Sequence, residues 1–124
     1  MNLSRKEFDG VVNRAFNRIP EEIREHLENV MITIRKRPSK EMLEELGMSP
    51  DDPPLGLYLG ASLMERSVFS PPLYPDTIFI FQEPLERMCD TLDELEREIE
   101  ITVVHEIAHF LGMDDRKPAE LGYA

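Results

Sequence analysis

The 124 residues contain one cysteine, Cys89. No intrachain disulfide can form, and no cysteine-based metal site can be built. Cys89 reads as a small, partly buried side chain on a helix. Long apolar runs are also missing. The longest, such as Ile78-Phe79-Ile80-Phe81, extend only a few residues, far below the ~20 that a membrane-crossing helix requires. Met1 to Glu7 lead into amphipathic sequence without a continuous apolar stretch, which argues against a signal peptide and for a cytoplasmic setting. Positive charge is scarce: 14 Lys and Arg face 25 Asp and Glu, a formal net charge of −11. That balance disfavours nucleic acid and anionic membrane as partners. No internal repeat or low-complexity block interrupts the chain.

What is present is an ordinary globular mixture, 41% hydrophobic and 31% charged, of a length that forms a single domain over 1–124 with one core. Ser4 and Glu7 fit a capping box. Phe8, Val11, Val12, Ala15, Phe16 and Ile19 then follow helical spacing. Pro20 suits the first turn of a second helix, from Glu21 to about Glu28. The β-branched run Val30 to Ile34 predicts a strand ending before Pro38. Ser39 to Leu46 predicts a short helix stopped by Gly47. After the turn-rich Ser49 to Pro54 loop, Leu55 to Ala61 predicts a second strand. Its glycines at 56 and 60 mark a bulge or a close approach by another part of the chain. A second loop, Ser70 to Asp76, precedes the clearest strand, Thr77 to Phe81, which is read either as a sheet edge beside the last helix, open to an extended peptide, or as a central strand packing the core. That helix is expected from about Leu92 to Leu111, acidic and amphipathic at first, then apolar on most sides from Ile101 onward.

A helix apolar nearly all round is packed inside a domain. The polar groups in its last two turns are Thr102, His105, Glu106 and His109, and buried polar groups need partners. His105 and His109 are four residues apart, so they share a helix face about 6 Å apart along the axis. Two imidazoles so placed can converge on one metal ion. Glu106 projects about 100° from His105 and about 60° from His109. It stands beside such an ion without being forced to bind it, as a general base should. Gly112 can take positive φ and turn the chain back. The carboxylate of Asp115 could then supply a third ligand and leave a fourth position for water, the arrangement of catalytic zinc sites. Asp114 is the alternative donor, disfavoured by the spacing. At this composition HExxH arises by chance in roughly one chain in a hundred, and with Gly and Asp following at these positions in roughly three in a hundred thousand. A helix merely carrying two core histidines is therefore the weaker reading.

The run His105-Glu106-Ile107-Ala108-His109-Phe110-Leu111-Gly112-Met113-Asp114-Asp115 resembles the extended zincin motif of metzincin type, HExxHxxGxxH/D, with Asp in the last place. With the small size and the preceding TIFIF strand, the chain resembles the small bacterial zincin-like metallopeptidase family. The resemblance implies Zn²⁺ held by His105, His109 and Asp115, Glu106 as catalytic base, and Gly112 as the turn residue. It implies a zinc-dependent peptidase acting on a peptide or protein substrate through metal-activated water. The fold expected is α/β (α+β) and zincin-like: a small twisted sheet, mostly antiparallel or mixed, with helices on one face and a buried active-site helix. A rival reading is an interaction protein that binds metal through the same motif without turnover; a purely structural site has no use for Glu106. Of the remaining candidates, His26 reads as a surface residue, and Tyr58 and Tyr74 as packing residues. Tyr123 reads as a frayed residue, or as a group that stabilises an oxyanion.

Overall fold

In the computed structural model, which describes residues 1–60, 76–112 and 116–123 (side chains 116 and 117 excepted), the chain opens with helix α1, Arg5–Arg18. The Ser4 hydroxyl accepts from the Glu7 amide while the Glu7 carboxylate accepts from the Ser4 amide. The capping box read from the sequence is thus closed. Helix α2, Glu21–Arg24, tightens into a 3₁₀ turn over Glu25–Leu27, and strand β1 follows at Met31–Arg35. Helix α3, Lys40–Leu46, is capped by Ser39 and stops at Gly47, whose φ of 68° is left-handed. Strands β2, Gly56–Leu59, and β3, Thr77–Phe81, come next. Helix α4, Gln82–Met88, springs directly from β3. Helix α5, Leu92–Phe110, is the longest, and α6 spans Arg116–Glu120.

The sheet has the order β1-β3-β2, with β1 parallel and β2 antiparallel to β3. It is the mixed sheet the sequence suggested, but the TIFIF strand does not lie at its edge. β3 is central and paired on both sides, so the core-packing reading holds and a peptide cannot add to this strand. All five of its residues are buried, as befits a strand covered on both faces. Ile78 and Ile80 pack with Phe8, Val11, Val12 and Ala15 of α1 and with Ile99, Val103 and Ile107 of α5. Phe79 and Phe81 turn the other way, onto Met42 of α3 and Leu59. Helices therefore cover both faces, where one was expected. Truncating a ring such as Phe81, fully buried, would cost about 3–5 kcal/mol. Among the described residues, the edge strand that borders α5 is β2.

Candidate active site

Gly56 sets how close β2 comes to α5. A Cβ there would lie 2.7 Å from Thr102 Cγ2 and 3.0 Å from the Phe79 carbonyl oxygen, too close for any side chain without a shift. The glycine signal noted in the sequence is thus a close approach, made by a helix side chain. Two residues along, Tyr58 fastens the strand to the helix at two points. Its ring stacks on Phe110 with centroids 3.9 Å apart, and its backbone N–H donates to Glu106 Oε1 at 2.9 Å. Its hydroxyl donates to Asp76 at 2.8 Å, and burial first, then Asp76, pushes the phenol far above its ordinary range. In the antiparallel register the Phe81 amide donates to the Leu55 carbonyl at 3.0 Å. The alternate residues Gly56 and Tyr58 therefore turn their amides to the outer side, where Glu106 meets the strand.

His105, Glu106 and His109 line one cleft of about 310 Å³ together with Pro54, Leu55, Gly56, Glu98, Ile101 and Thr102. His105 and Glu106 are half-buried and His109 is exposed. The two imidazole centroids stand 6.5 Å apart with planes at 66°. At zinc–nitrogen bonds of ~2.0–2.1 Å, an ion lies roughly 3 Å from each ring centre, so rings about 5–6 Å apart can share one. Side-chain rotation spans the difference, and the pair fits a metal. Burial holds the Glu106 carboxyl above its ordinary range, outweighing the Tyr58 amide and the imidazoles of His109 and His105, which act to lower it. A carboxyl under such opposed influences, beside two imidazoles in a cleft, is a candidate proton acceptor.

The helix ends as the motif requires. Gly112 has φ 72° and its amide bonds to the His109 carbonyl at 3.1 Å, so the chain leaves α5 through a left-handed residue. Asp115 and Asp114 lie outside the described residues. Among the described residues no cluster of three or more potential ligands occurs, so His105 and His109 are the donors the fold brings together. A larger cleft, about 580 Å³, is lined by Arg37, Pro38, Leu43, Met48, Pro53 and others. It contains no histidine or cysteine and is separate from this chemistry.

Tyr123 is not frayed, and its side chain is directed at Glu100 and not at the cleft. It is 3% exposed, and its hydroxyl donates to the buried Glu100 carboxylate at 2.5 Å. Burial, then Glu100, pushes this phenol up to about 12. Its backbone carbonyl faces His105 Nε2 at 2.5 Å. Neither Glu100 nor these backbone contacts of Tyr58 and Tyr123 had a signature in the sequence. Cys89 is not on a helix as read from the sequence but buried in extended backbone just beyond α4, and burial raises its thiol, with Glu98, Glu94 and Asp90 adding to the effect. It is an inert packing group. His26 is exposed, as expected.

Among the described residues, a three-stranded mixed sheet is backed by a long helix whose His105, Glu106 and His109 lie beside β2, an arrangement consistent with a zincin-like fold. The chain belongs to the zincin-like metallopeptidase family, whose model matches residues 27–123. In fold it is similar to a conserved hypothetical protein from Thermus thermophilus, with a TM-score of 0.55 and 19% identity over 88% of this chain and 94% of that one. No curated protein matches the sequence. Family membership implies a metal, usually zinc. No described helix is long and apolar enough to cross a membrane.

Proposed function

We propose that the protein is a zinc-dependent peptidase, with His105, His109 and Asp115 holding the ion and Glu106 as general base. The observation that carries this reading is the convergence of His105, Glu106 and His109 on a cleft bordered by an edge strand, in a chain of this family. Bound zinc would supply Lewis-acid activation of water and of the scissile carbonyl. Glu106, steadied by the Tyr58 amide, takes a proton from the attacking water and passes it to the leaving amine. An extended peptide or protein substrate would lie along the outer side of β2, where main-chain hydrogen bonding is the natural mode of recognition. The net charge of −11 disfavours nucleic acid and anionic membrane as partners.

The experiment pairs metal content with turnover. Wild type should carry about one zinc per chain, and His105→Ala or His109→Ala should abolish it, since two remaining ligands hold the ion poorly. Glu106→Gln should keep the zinc and the fold while hydrolysis of the best peptide from a mixed library falls by about 10²–10⁴-fold. Equal zinc in all variants would refute the site, and unchanged turnover in Glu106→Gln would refute the base. Zinc retention without cleavage of any library peptide by wild type would favour the metal-binding interaction protein instead.

A further inference from the structure

We propose that the backbone carbonyl of Tyr123 is an internal competitor of the metal for His105, so that loading the site requires the 116–123 segment to yield. The inference rests on the metal site proposed above. A carbonyl oxygen can only accept, so its 2.5 Å contact with His105 Nε2 places a hydrogen on that nitrogen. A metal ligand needs the lone pair of the same atom. The two bonds are mutually exclusive.

The outer nitrogen is the one at stake. Nδ1 lies next to its own Cβ and the helix surface, whereas Nε2 is at the tip of the ring. Rings one helical turn apart, with centroids separated by 6.5 Å, share an ion through their tips. The Tyr123 carbonyl is held firmly where it competes. The Tyr123 hydroxyl is bonded to Glu100, and Glu100 is ion-paired with Arg18 at 3.2 Å and Arg97 at 3.3 Å. Arg97 also donates to the Gly122 carbonyl at 2.5 Å and lies 4.8 Å from the centre of the Tyr123 ring. The Tyr123 amide bonds to the Pro118 carbonyl at 2.8 Å.

The test titrates zinc alone, against a chromophoric chelator, into wild type, Tyr123→Phe and Arg97→Ala. Tyr123→Phe keeps ring and carbonyl but loses the Glu100 anchor. Arg97→Ala loosens the same seat from a half-buried position and serves if the first variant folds poorly. Each should bind zinc about two- to tenfold more tightly, the scale of one hydrogen bond's net contribution. Hydrogen exchange at the Tyr123 amide should speed up when zinc is added to wild type. Unchanged or weaker zinc binding in both variants would overturn the proposal. So would nuclear magnetic resonance of the cadmium-loaded protein showing cadmium coupled to His105 Nδ1 with the Nε2 hydrogen retained. Zinc bound equally by wild type and variants defeats this inference and leaves the functional reading standing. Zinc bound by none of them defeats both.

Discussion

Glu106 shows how a single side chain is prepared by groups that have no motif of their own. Its carboxylate accepts from a backbone amide of a strand nearly fifty residues earlier. Any residue type at 58 other than proline would supply that amide, so nothing in the sequence could mark it. Gly112 is the opposite case. Its placement three residues beyond His109 already implied positive φ, and the backbone adopts 72° there. A β-branched residue resists that conformation. Gly112→Val should therefore misdirect the chain that carries Asp115 and weaken zinc binding as much as Asp115→Ala does. Asp114→Ala should leave affinity nearly unchanged. Zinc affinities of the three variants, measured side by side, decide the ligand order; a larger loss in Asp114→Ala than in Asp115→Ala would reverse it. The HExxH constellation was legible because helical periodicity alone puts His105, Glu106 and His109 on neighbouring positions. The Tyr123 contact was not, because it depends on where a chain reversal returns.

At the scale of elements, the sequence yielded those with local signatures. Helix α1 has its capping box, α3 its serine cap and terminal glycine, and β3 its β-branched and aromatic run. It did not yield α4, which follows β3 without a connecting loop and carries Pro84 in its first turn. That position tolerates proline because the missing N–H would have no helical partner. The short α6 has too few residues for periodicity to register. Strand order was also hidden. A fully buried strand reads the same whether its hydrogen-bonding neighbours lie on one side or two, and only long-range pairing made β3 central. The packing of β2 on α5 gives a test at this scale. Gly56→Ala places a methyl group against Thr102 Cγ2 and the Phe79 carbonyl. Overpacking of this kind costs about 1–3 kcal/mol and should lift Tyr58 away from Glu106. Adding Thr102→Ser removes the side-chain half of the clash and should recover part of the loss in denaturant unfolding. If Gly56→Ala alone is as stable as wild type, β2 does not sit as tightly on α5 as described.

Across the whole molecule, polar contacts link the outer helix to the candidate site. Arg14 and Arg18 of α1 pair with Glu96 of α5 at 3.0 and 2.7 Å, and Arg18 also reaches Glu100. From Glu100 the contacts continue through Tyr123 to His105. In a chain of net charge −11, these cations help hold the acidic first half of α5 against α1. The Arg18 hydrogen bond is the main influence holding the Glu96 carboxyl below its ordinary range; partial burial opposes it and Arg14 assists. Because the folded-state value is lowered, the native protein binds fewer protons than the unfolded chain as pH falls through the carboxylate range. The stabilisation is complete above the ordinary value of about 4.3 and is lost as pH falls through the lowered folded value. Both arginines are more than half exposed, so solvent screens the pairing and its contribution to stability is small. Glu96→Gln should accordingly lower the thermal midpoint at pH 7 by no more than about 4 °C. That gap should narrow as pH falls below about 4.3 and through the lowered folded value, where wild type loses the charge as well. Melting curves of both proteins across the range from about pH 3 to 7 make the check. A gap of constant size over that range would mean that Glu96 supports the α1–α5 contact through packing, with its charge contributing nothing.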